Sequence, residues 1–357
     1  MSYLVATALI ALLGMMLALP LVPALIELRQ KTDAKPLSVI QEHAGEIRHF
    51  ANGFRNYASS LQGMLQQCIA TRSTARGIMP DACEYLLLGR QLNPRDLPVR
   101  EYDATCDLVL VSGVPFKTPP DIVFTKEIYA GADFIGGEGD TYRAILGEKN
   151  VYLGAGTRVM RWVHAVGEFN GDLGCELYGR ISSDRIIRLL GPTQFLRLNA
   201  PRMELGEVSS ADPRISPGPP DFPDVQSRIV NRLLYDGDYE IGEGEVVTGS
   251  VVARGRLLIR AGAHIRGSVK SHHEMILEPG VIVEGSLVSA SKMSIGEDCR
   301  LHGPIICEHS MTIATGACCG TLGQPTTITS PRIEVEEGVV AFGTVWAREY
   351  GRVVSDL

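Results

Sequence analysis

The sequence predicts an all-β solenoid, a triangular β-helix with 18-residue coils, preceded by an N-terminal transmembrane helix and an amphipathic helix. Three observations carry this. From residue 241 one pattern returns every 18 residues, and a fixed period of that length marks a repeat architecture. Residues 3–26 contain no charged side chain over 24 positions, enough to span the hydrocarbon core of a bilayer. Residues 38–70 place apolar side chains at alternating spacings of three and four, the helical period.

The uncharged stretch reads YLVATALIALLGMMLALPLVPALI, with Pro20 and Pro23 placed to kink it or end it early. A cleaved signal peptide is the rival reading, with Val22-Pro23-Ala24 as a weak cleavage site, but no basic segment precedes the stretch. Arg29, Lys31 and Lys35 follow it, opposed by Glu27 and Asp33. The positive-inside tendency then puts the body of the protein in the cytoplasm. Residues 1–27 are the expected anchor and 28–105 a helical juxtamembrane region. Within the latter, Ile47, Phe50, Phe54, Tyr57, Leu61, Met64 and Cys68 form a heptad-like seam. A helix packed on the solenoid or capping its end is the expectation, with a coiled-coil contact between protomers as the alternative.

Residues 106–206 carry a looser form of the 18-residue pattern. Gly131 and Gly156 stand three places after an apolar residue, and GDLGCELYGRI (171–181) repeats the offsets of the later coils. This predicts a degenerate solenoid. Residues 207–235 are expected to be a proline-rich linker, SSADPRISPGPPDFPD, and a short helix running from residue 225 to 238.

Residues 236–347 hold the regular coils. The first place of the repeat is Ile241, Ile259, Leu277, Ile295 and Ile313, expected to form one buried ladder. The fourth is Gly244, Gly262, Gly280, Asp298 and Gly316; the ninth is Gly249, Gly267, Gly285 and Gly303. Apolar or small residues fall mostly in pairs two apart, with Glu245 the clearest exception. Residues two apart in a strand face the same way, so each repeat reads as three short strands and three corners. Glycine at two of the corners meets any demand for positive φ. Arg260, His264, Arg266, Lys270 and His272 take the alternate, outward places. Residues 348–357 are left as a tail.

Little in the chain points to chemistry. A net charge of −7 gives no reason to expect nucleic acid as a partner. None of the eight cysteines makes a CxxC pair or zinc spacing; Cys299 and Cys307 fall at inward places. Phosphate-loop, nucleophile-elbow and HExxH patterns are absent, and no cofactor is expected. Asp238, Glu240, Glu243 and Glu245 make an acidic edge that could bind calcium, with solvated charge the plainer reading. Hexapeptide acyltransferases share the three-sided coil, which keeps catalysis as an alternative. It would need a general-base histidine at a cleft, and His273 and His309, two coils apart, would lie about 10 Å from each other. No insertion in the regular coils walls off a pocket there.

The segments VVTGSVVARGRLLIRAGAHIRGSVK, VIVEGSLVSASKMSIGEDCRLHGPI and EEGVVAFGTVWA together resemble the bactofilins, polymer-forming bacterial cytoskeletal proteins. The resemblance covers residues 236–347, about a third of the chain. It implies a right-handed β-helix that assembles end to end without nucleotide and a self-made polymer as the first partner. It also implies an address at the bacterial inner membrane, with envelope or morphogenesis factors localised there. Solenoid ends expose unpaired strand edges, which invite pairing with another copy. No capping helix is visible after the last coil, so Phe342, Val345 and Trp346 are the candidate self-assembly surface at the C-terminal end; the alternative is that Val345 is ordinary core while Phe342 and Trp346 pack on an outer face. Residues 1–206, outside the pattern, could instead cap one end. A non-polymerising docking subunit of a membrane machine is the second functional reading.

Overall fold

A computed structural model of the chain describes residues 48–100, 102–208 and 232–354, with the isolated positions Leu12, Leu19 and Val22. The unit from Ile47 to Leu357 is an all-β solenoid of about 13 turns among the described residues. Among these residues, no helix is long and apolar enough to cross a membrane. The expected anchor, 3–26, lies outside the described residues apart from those three positions.

The second stack, 232–354, is built as the period dictates. Tyr239–Ile241, Leu257–Ile259, Met275–Leu277, Lys292–Ile295 and Ser310–Ile313 lie side by side in parallel, each 18 residues from the next. Two further columns of strands close the triangle. The ladder Ile241, Ile259, Leu277, Ile295 and Ile313 is buried throughout, with no member more than 1% exposed. The expected outward charges do face solvent: Arg266, Lys270 and His272 are exposed, and Arg260 and His264 are half-buried.

The two glycine columns answer different demands. The fourth place has positive φ at Gly244, Gly262, Gly280 and Gly316, and Asp298 shares it at +54°. At the ninth place Gly249, in the opening coil, has φ +131°, but in the coils above it the cause is close approach: a Cβ on Gly267, Gly285 or Gly303 would sit 2.3–2.5 Å from backbone atoms of the coil before. A third corner is closed by the thirteenth place. Ser271 and Ser289 are fully buried, and their hydroxyls donate to Gly255 and Glu274 carbonyls and to His273 and Lys292 carbonyls. The Cys307 thiol repeats this, 2.9 Å from the Ser291 carbonyl and 3.1 Å from that of Ser310. Cys318 and Cys319 are adjacent on a strand and so point to opposite faces. Only Cys319 enters the core, paired with Leu301.

The first stack begins earlier than residue 106. Glu84–Leu88 pairs in parallel with Val109–Ser112, and three columns then run to Leu205 at offsets of 16 to 18. The region 28–105 is therefore only partly helical: Thr74–Ile78 and Glu84–Leu88 form an antiparallel hairpin. The stack's outer face along Leu87, Val111, Leu146 and Trp162 is apolar, because helices cover it.

Those helices are α1, His49–Ser59, and α2, Gln62–Thr71. One continuous seam was the expectation; the structure breaks it at Ser60–Leu61. After the break Leu65 is buried in place of Met64, which is 44% exposed; before it, Phe50 is 43% exposed while Phe54 is buried. Phe54 meets Trp162 edge to face, and Arg55 pairs with Glu148 at 2.6 Å. The helix pair packs on the solenoid's side.

Arg232–Tyr235 stands where the short helix was expected. It is a strand, paired with Ser250–Ala253; the β-branched partner strand offers a full row of backbone groups, which wins over the local helical pattern. Residues 225–231 lie outside the described residues. The expected tail is likewise structured as far as Val354, in one long strand, Val339–Val354.

Candidate functional site: the coil ends

A continuous winding through the linker would set Thr193–Leu205, the last strand of the first stack, beside the start of the second. The structure joins them otherwise. Thr193–Leu205 pairs antiparallel with Val339–Val354, the last coil of the second stack. Thr193 faces Val353, Leu198 faces Val345 and Leu205 faces Val339, so pairing continues along all three sides. The two stacks meet end coil to end coil with opposite chain direction, and one hydrophobic core runs from Leu86 to Val353 through the joint.

The three candidate assembly residues all belong to this joint. The expected open C-terminal rim is covered, because antiparallel pairing satisfies the same backbone edges that another copy would have offered to fill. Val345 is fully buried against Leu198. Phe342 is 8% exposed and so cannot serve as an open contact surface. Trp346 points outward, 42% exposed, with the Arg197 guanidinium carbon 5.1 Å from its ring centroid.

Several joint residues carry no signal in the sequence. The Asn199 amide donates to the Gly343 carbonyl at 3.1 Å and to the Thr344 hydroxyl at 2.8 Å. Gly351 faces Phe195, and a Cβ there would come within 2.4 Å of the Phe195 ring. Nothing about Phe195 or Gly351 stands out until residues 156 positions apart in sequence are seen side by side.

The other coil end of the second stack is different. Among the described residues, Arg232–Tyr235, Tyr239–Ile241 and Val246–Val247 pair on one edge only. Leu233, Leu234 and Val246 beside this edge are 37%, 53% and 57% exposed. The acidic edge foreseen here is consumed by the next coil: Asp238 pairs with Arg256 at 3.1 Å and Glu240 with Arg260 at 2.8 Å. Glu245 folds back, and its carboxylate accepts from the Gly242 backbone. At the far end of the first stack, the Thr74–Leu88 hairpin and the segment that buries Leu97 lie over the opening coil.

His273 and His309 are exposed on the coil surface, and His264 is bound to Glu284 at 2.8 Å. Among the described residues, no group of three His, Cys, Asp or Glu side chains converges as metal ligands would. No family model, no curated protein and no solved structure matches this chain.

Proposed function

We propose that the protein is a membrane-anchored, non-catalytic scaffold that associates with itself through the opening coil of its second stack, residues 232–247. The observation that carries this reading is the joint inside the chain. There, two solenoid ends complete each other by strand pairing, so coils of this kind bond end to end. Among the described residues, the 232–247 edge is the same sort of surface without a pairing partner, and its exposed Leu233, Leu234 and Val246 add apolar area. Anchoring through residues 3–26 in the inner membrane, with the solenoid in the cytoplasm, completes the picture. Localising envelope factors on the solenoid surface is the role it suggests.

The joint also favours the second reading, a non-polymerising docking subunit. With the C-terminal rim used internally, a contact between two like rims closes after two copies. Open filaments need the start of the first stack as a second, unlike surface. Sedimentation and negative-stain imaging of the full chain in detergent decide between them. A dimer that dissociates in Leu234→Lys and Val246→Lys supports closed pairing through this rim; filaments lost in the same variants support polymerisation. A chain that stays monomeric at all concentrations overturns self-association.

A further inference from the structure

A groove of about 390 Å³ lies where α1, the side of the first stack and the joint meet. Its floor is a row across four adjacent strands: Trp162 beside Arg180, Arg180 beside Arg197, and Arg197 beside Trp346. The register shifts beside Trp162, Arg180 and Arg197 on three of the strand pairs here, while the pair that sets Trp162 beside Arg180 stays in register. Gly179 permits the close stacking, since a Cβ would fall 1.9 Å from the Arg161 carbonyl oxygen.

Neighbouring strands put Arg180 and Arg197 side by side on one face, where like charges repel. Each guanidinium rests on an aromatic ring, Arg180 on Phe50 at 5.5 Å and Arg197 on Trp346 at 5.1 Å. No carboxylate lines the groove, and Arg161, Arg180 and Arg197 form no ion pair among the described residues. The nearby Glu176 is taken by Arg158 at 3.0 Å and by the Tyr178 hydroxyl at 2.6 Å. The Arg197 Nε is buried without a hydrogen-bond partner. Three uncompensated cations on a chain of net charge −7 are complementary to an anion. Around them stand exposed apolar groups, Met160 at 51%, Tyr178 at 44% and Phe50 at 43%.

We propose that this groove holds the headgroup of an anionic phospholipid at the bilayer surface. A free phosphate would leave the apolar surround without a role. A bilayer interface uses both parts, with arginine on the headgroup and aromatic rings at the boundary. The proposal rests on the anchored reading of residues 3–26.

The chain's two tryptophans both line the groove, so intrinsic fluorescence reports its occupancy. Full-length protein is reconstituted into vesicles of phosphatidylcholine alone or mixed with phosphatidylserine. With phosphatidylserine, tryptophan emission is expected to move to the blue and to be quenched severalfold by brominated acyl chains. In Arg180→Gln and Arg197→Gln that response is expected to be lost while the protein still floats with vesicles. Protein that floats with both vesicles but shows unchanged emission overturns the groove alone. An equal response to inorganic phosphate, or to polyglutamate, without lipid overturns it in favour of a free-anion or acidic-protein site. Failure to float with either vesicle overturns the anchor, and the tethered proposal with it.

Discussion

Two glycines five residues apart separate two kinds of constraint. At Gly280 the requirement is on φ, +73°, and Asp298 already meets it in the next coil. At Gly285 the requirement is space, with backbone atoms of Gly267 and Ser268 2.5–2.6 Å from any Cβ. Gly280→Asp is therefore expected to cost about 1 kcal/mol, and Gly285→Ala about 3 kcal/mol. Urea denaturation measures both; equal costs would show that the coil beneath Gly285 gives way to a Cβ. The sequence displayed both columns with equal clarity, yet attributed both to φ. The reason is that spacing reveals recurrence and says nothing of the distance to the coil beneath.

At the scale of elements, α1 lies over a buried polar group. The imidazole of His164 is 2% exposed, with its Nδ1 2.9 Å from the Ser182 hydroxyl and its Nε2 3.7 Å from Asp184. Burial lowers its pKa below the usual value; Asp184 pulls the other way, and Arg48 and Arg55 add to the lowering. The folded state therefore binds this proton less readily than the unfolded chain. The group's contribution to stability is full above the unfolded value of about 6.5 and is lost as pH falls below it. Thermal unfolding between neutral and mildly acid pH is expected to show a decline that His164→Gln reduces. An identical decline in that variant would assign it to other groups. The helices themselves were legible as an apolar period, but the turn at Ser60–Leu61 was not. The period survives a rotation of the face, so Met64 and Leu65 exchange roles without any mark in the spacing.

At the scale of the whole unit, stability depends on the joint. Leu198 and Val345 are both fully buried and face each other across it. A carboxylate at Leu198 would be buried without a partner, at a cost of several kcal/mol. If a protease site is placed within 209–231 and cut, the two halves of the wild type are expected to co-elute. The halves of Leu198→Asp are expected to separate while each keeps its β-sheet circular dichroism. Separation of the wild-type halves would show that the strand pairing across the joint is too weak to hold the stacks together.

The sequence by itself determined the coil. An 18-residue period, inward pairs two apart and glycine at the corners leave little freedom once strands stack in parallel, because each coil repeats the demands of the last. It also pointed to solenoid in residues 106–206, through fragments of the same offsets. What only the tertiary structure decided is how the two stacks meet and which rim, among the described residues, pairs on one edge only. That choice rests on pairing between strands such as Thr193–Leu205 and Val339–Val354. A strand's edge is made of backbone groups common to every residue, so nothing in the side-chain pattern says which edge it will find. Phe342, Val345 and Trp346 were recognisable as belonging to an end coil, but the partner that covers that end was fixed in space alone.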